Sequence, residues 1–121
     1  MANPNIVAAT SILGKSINGA LGTTVTTDLL TCASNKLLKV NTIIIANIDG
    51  TNAATVTMGI IKRGGSVVHF AKTISIPADA SLTLIDKNSG LYLEYEDILE
   101  GGASAASDLT YTISYEELDD A

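Results

Sequence analysis

Leu109-Thr110-Tyr111-Thr112-Ile113-Ser114-Tyr115 decides the fold class. Large apolar side chains occupy one parity and small hydroxyl side chains the other. A strand's side chains alternate with period two, so this stretch buries one face and wets the other. The same alternation recurs upstream. Leu38 and Val40 alternate with Lys39 and Asn41, and Val56, Met58 and Ile60 alternate with Thr55 and Thr57. Leu82 and Leu84 repeat it in a shorter run.

Between these runs lie turn residues. Asp49-Gly50-Thr51-Asn52 is a turn with a mechanism: Asp and Asn bond to nearby backbone, and Gly permits positive φ. It predicts that Lys36 to Ile61 forms one antiparallel hairpin. Within it Ile43-Ile44-Ile45 is apolar on both parities, which predicts a strand covered on both sides by the second sheet and an arm, or by a neighbouring subunit. Lys62-Arg63-Gly64-Gly65 and Pro77-Ala78-Asp79-Ala80 bound a strand from Ser66 to Ile76, whose broken parity suggests a bulge. Thr23 to Thr31 reads as a strand, Asp86-Lys87-Asn88-Ser89-Gly90 as a polar loop, and Gly101 to Ser107 as a small-residue loop. No stretch carries a capped helical period. The expectation is an all-β, single-domain antiparallel β-sandwich or jelly roll of about eight short strands. Residues 1–14 read as an extended amino-terminal arm or first strand, 15–116 as the sandwich and 117–121 as a frayed acidic tail.

Composition narrows the function. A chain of 121 residues with 46% hydrophobic residues can bury enough to order itself. Aromatics are only 4%, so the core rests on aliphatic side chains, and a light core gains from a partner chain. Net charge is −6 and the pI about 4.4. Nucleic-acid binding leaves a basic patch, and none is present; anionic membrane surfaces are disfavoured for the same reason. No apolar run reaches the roughly 18 residues of a membrane span. The opening Met1-Ala2-Asn3-Pro4 shows no secretory signal, so synthesis in a cytoplasm is expected.

Reactive chemistry is sparse. His69 and Cys32 are the only residues of their kinds. A zinc or triad site needs several converging ligands or partners, and neither residue has a companion in sequence. Lone Cys32 reads as a small buried hydrophobe. Glu94, Glu96, Asp97 and Glu100 form the densest acidic cluster. It lacks the alternating Asp/Asn pattern of a calcium loop and reads as solvated edge-strand charge. Gly64-Gly65 and Gly101-Gly102 precede no Lys-Ser/Thr pair and helix, so they are not phosphate loops. No catalytic residue, cofactor or metal is expected.

The stretches Met1-Ala2-Asn3-Pro4-Asn5-Ile6-Val7, Thr10-Ser11-Ile12, Gly14-Lys15, Asn41 to Thr57, Ile76 to Leu82, Ile85-Asp86-Lys87 and Ser114-Tyr115-Glu116-Glu117 resemble small virion structural proteins of marine tailed bacteriophages, especially those infecting cyanobacteria. The resemblance implies a non-enzymatic component of the virion. It favours a capsid decoration, or cement, protein that seats on the shell as a small homo-oligomer, with a trimer favoured. A tail, neck or fibre module touching the host surface is the alternative. The implied partners are further copies of the chain and the major capsid protein or other virion proteins, without direct nucleic-acid or membrane contact. Assembly contacts are expected at Asn3, Pro4, Ile6, Val7 and Ile12 in the arm, and at Ile43 and Ile45 in the doubly apolar strand.

Overall fold

The computed structural model describes residues 11–86 and 88–119. Among the described residues nine strands run in the order β1 (Ser11–Ala20), β2 (Asp28–Thr31), β3 (Lys36–Asn47), β4 (Ala54–Ile61), β5 (Val67–Ile76), β6 (Ser81–Ile85), β7 (Leu91–Leu93), β8 (Ile98–Ala103) and β9 (Leu109–Asp119). One sheet has the order β1-β9-β3-β6, with β7 also paired to β3; the other has the order β2-β8-β4-β5. Every pairing is antiparallel. The fold is therefore a two-sheet antiparallel β-sandwich, as the alternation predicts. The core between the sheets draws Val40, Ile43 and Ile45 from β3 and Ile113 from β9. Facing them are Val56 and Met58 from β4 and Leu99 from β8. Burying an aliphatic side chain contributes about 1.5–3 kcal/mol, so these rows supply most of what holds the sheets together.

The expected hairpin from Lys36 to Ile61 does not form. β3 pairs with β9, β6 and β7, whereas β4 pairs with β5 and β8 in the opposite sheet. The turn itself is present: the Asp49 carboxylate accepts from the Thr51 and Asn52 N–H groups at 2.8 and 3.3 Å. It redirects the chain across the sandwich instead of back along one sheet. Asn47 fixes the crossing. Its side chain is buried and donates to Ile76 O at 2.9 Å and Asn52 O at 3.0 Å, while its Oδ1 accepts from Asp49 N–H at 2.9 Å. The last residue of β3 is thereby tied to the end of β5 in the other sheet. The crossing lets both apolar rows, on β3 and β4, face the same interior.

Three local expectations also shift. The triple-isoleucine strand is covered on one side only: Ile43 and Ile45 are 0% exposed, but Ile44 is 39% exposed. Only Asp28–Thr31 of the segment Thr23 to Thr31 is a regular strand. Its earlier part follows β8 irregularly, through Ala103 N–H to Gly22 O at 2.8 Å and Gly101 N–H to Thr27 O at 3.0 Å. Gly101, Gly102 and Ala103 belong to β8 rather than to a loop. A Cβ on Gly102 would lie 2.8 Å from Thr24 O and from Val25 Cα, so the closeness of that segment requires glycine. The bulge expected in β5 is present as register shifts on either side of Met58. β1 runs through Gly14 without interruption, and β9 continues to Asp119.

Candidate functional site

Asp97 occupies the bend between β7 and β8 and is 1% exposed. Its carboxylate accepts the Glu94 N–H at 2.9 Å and the Arg63 N–H at 3.0 Å. The Lys62 ammonium donates to Asp97 Oδ2 at 2.5 Å and to Glu94 Oε1 at 3.0 Å. The Arg63 guanidinium lies 4.2 Å above the Tyr95 ring centre, an attractive cation–π placement. A pocket of about 160 Å³ lies among Lys62, Arg63, Glu94, Tyr95 and Asp97. The fold thus clasps the β4–β5 turn to the β7–β8 turn through one buried carboxylate.

The electrostatics favour the charged forms. Burial pushes the Asp97 carboxyl upward, but the Lys62 ammonium and the Glu94 and Arg63 N–H groups outweigh it and hold it below its ordinary range. Asp97 in turn raises Lys62. An ionised pair on a buried turn is a structural tie. Acid–base work would require one partner poised near neutral pH. The acidic cluster is therefore not uniformly solvated, because Asp97 and Glu100 are both buried. Sequence reading missed this clasp since its cation lies 35 residues from its carboxylate. The two adjacent cations Lys62-Arg63, in an otherwise acidic chain, were the available signal.

The remaining candidates separate. Cys32 is buried, its thiol donates to Lys36 O at 3.2 Å, and burial pushes it up to about 11. His69 is exposed on β5, opposite Gly59 of β4. Among the described residues no three His, Cys, Asp or Glu side chains are placed to hold a metal ion. Among the described residues no helix is long and apolar enough to cross a membrane.

Of the residues expected at assembly contacts, Asn3, Pro4, Ile6 and Val7 lie outside the described residues. Ile12 stands on β1 and is 55% exposed. Ile43 and Ile45 point into the core, so any contact through that run falls to Ile44. A second, shallower pocket of about 290 Å³ is lined by Asn18, Gly19, Thr110, Tyr111 and Thr112, where β1 meets β9.

No protein-family profile matches this chain, and no curated protein sequence matches it. Solved structures do. A structure from the disulfide-linked pili that form Bacillus endospore appendages superposes over 92% of this chain and 88% of that chain, at 13% identity and a TM-score of 0.54. An infectious bursal disease virus structure (Gx strain) covers 93% of this chain and 33% of that one, at 12% identity and a TM-score of 0.46. A pentameric capsid protein from metagenomic phage sequences covers 87% and 62%, at 13% identity and a TM-score of 0.39. At these identities the pilus match establishes a shared fold and nothing further about this chain.

Proposed function

We propose that this chain is a non-enzymatic structural protein of a phage virion, a capsid decoration protein that binds the shell as a small homo-oligomer and stabilises it. The reading rests on the resemblance to phage virion proteins along nearly the whole sequence. One structural observation carries it. The buried polar groups Asp97 and Asn47 are engaged in holding turns and sheets together. The exposed apolar side chains, by contrast, include two neighbours on one edge strand, Ile12 and Leu13. A surface of that kind suits association with another protein. The amino-terminal arm, including Asn3, Pro4, Ile6 and Val7, would reach a neighbouring chain and supply backbone partners to an edge.

The test is a reconstruction of the intact particle together with the copy number of the chain by quantitative mass spectrometry. Copies matching the capsomers of the shell support decoration. Copies matching the symmetry of the tail or neck would replace it with the tail reading. Removal of Met1 to Ser11 is expected to leave the sandwich folded and to weaken binding to particles. Unchanged binding would remove the arm from the proposal.

A further inference from the structure

We propose that β1 is a self-pairing edge, through which two copies of the chain join antiparallel about a two-fold axis into one continuous sheet. The inference builds on the homo-oligomer reading above and names the surface and the symmetry. An edge strand offers unpaired N–H and C=O groups, and proteins that remain apart blunt their edges. Three of the four edges here are blunted. β2 has 4 residues and a register shift. β6 has 5 residues. β5 is interrupted by register shifts, carries exposed Lys72 and holds Thr73 at φ 49, a strained setting for a β-branched residue. β1 is different. It runs 10 residues in unbroken register against β9, and no described residue pairs with its other side. Ile12 and Leu13 are about half exposed, on opposite faces, because the second sheet does not reach them.

Charge identifies the occupant as a second copy. All thirteen acidic residues lie at Asp28 or beyond, and Lys15 is the sole charged side chain among residues 1–27. In a chain of net charge −6, β1 itself presents no acidic side chain, and of the acids beside it on β9, Glu117 is paired with Lys15 at 3.0 Å and Asp119 with Lys36, which lowers the repulsion between two copies meeting there.

The sequence of β1 also selects a register. A two-fold axis normal to an antiparallel pair must set one residue opposite its own copy. An axis at Lys15 would oppose two ammonium groups. An axis at Ser16 avoids this and sets Lys15 opposite Ile17, Gly14 opposite Asn18, Leu13 opposite Gly19, and Ile12 opposite Ala20. Ile12 and Leu13, the two most exposed aliphatic side chains of β1, then each meet a small residue. Glycine at 19 leaves room for the Tyr111 hydroxyl, which would lie 3.0 Å from a Cβ placed there. Ile12 of the second copy comes to rest beside the pocket of Asn18, Gly19, Thr110, Tyr111 and Thr112. The contact is smaller than the roughly 20–30 residues a side of a standard interface, so the pair is weak in dilute solution.

Cysteine cross-linking of the full chain tests this directly. Opposed residues of an antiparallel pair have Cα atoms about 4.5–5.5 Å apart, within the ~4.4–6.8 Å that a disulfide spans. Native Cys32 is buried and contributes little background. Ser16→Cys is expected to give covalent dimer on mild oxidation about tenfold faster than Thr83→Cys, an exposed control on β6, because pairing raises the effective concentration. Adding Ile12→Lys and Leu13→Lys to Ser16→Cys should return the rate to that of the control. Cross-linking of Lys15→Cys ahead of Ser16→Cys overturns the proposal, and so does a Ser16→Cys rate equal to that of Thr83→Cys. The outcome is separable from the virion reading: a chain found in particles whose Ser16→Cys does not cross-link loses the β1 pair alone.

Discussion

The carboxylate of Asp97 is the charged centre of the clasp between the β4–β5 and β7–β8 turns. It is buried, holds three donors and fixes two turns that lie far apart in sequence. Because its folded pKa is depressed, its contribution to stability is fully present above the unfolded carboxylate value near 3.9. That contribution is lost as pH falls through the lower folded value. Asp97→Asn keeps the shape but removes the charge that Lys62 and the two N–H groups favour. The expected cost at pH 7 is about 1–3 kcal/mol in chemical denaturation, with a flatter dependence of stability on pH in the acid range. Identical acid limbs for Asp97→Asn and the parent chain would show that the clasp is not an ionised tie. The signal in the sequence was incomplete. Four acids in seven residues look like a solvated face, yet Asp97 and Glu100 are buried, and only the three-dimensional return of Lys62 accounts for the burial of Asp97.

Strands were legible wherever one face is buried and the other wet, because alternation records that directly; β9 and β6 are the clearest examples. Their partners were not legible. Turn chemistry at Asp49-Gly50 fixes where the chain bends, but whether it bends within a sheet or across the sandwich depends on contacts such as Asn47 to Ile76. Gly101-Gly102 misled for a similar reason. Glycine is a poor strand former by propensity, and its necessity in β8 comes from the distant Thr24, Val25 and Met58. Two predictions follow at this scale. Gly102→Ala meets backbone atoms on three sides and should destabilise by at least about 1–3 kcal/mol. Gly101→Ala meets the Met58 side chain at 2.6 Å and one backbone atom, Thr57 O at 3.0 Å, against three backbone atoms within 2.9 Å for Gly102→Ala, and should cost less; a reversed order in urea melts would contradict the close approach of residues 22–27. Along β3, Ile45→Ala should cost about 2–5 kcal/mol as a core truncation. Ile44→Ala should stay within about 1 kcal/mol in the isolated chain, since Ile44 faces outward.

At the level of the whole molecule, charge and fold act in opposite directions on assembly. Two copies, each at −6, repel at long range, while the apolar, nearly uncharged β1 edge attracts at contact. Of the residues expected at assembly contacts, Ile12 is exposed, whereas Ile43 and Ile45 are core residues whose hydrophobicity is fully used inside the sandwich. Periodicity alone could not separate a strand covered by its own second sheet from one covered by another chain. The balance of the two forces gives a signed prediction for ionic strength. Raising salt from about 0.01 M to about 0.15 M shortens the Debye length from ~30 Å to ~8 Å. The net repulsion is then screened, whereas strand pairing and apolar contact are hardly affected. Self-association should therefore tighten several-fold across that range, as read by sedimentation equilibrium at constant pH. An association held by opposite charges, for instance Lys15 of one copy against an acidic side chain of another, would weaken instead. Weakening with salt would thus rule out an apolar edge pair, and an Ile12→Lys, Leu13→Lys double variant supplies the control: its residual association, having lost the apolar contact, should not gain with salt as the parent chain does.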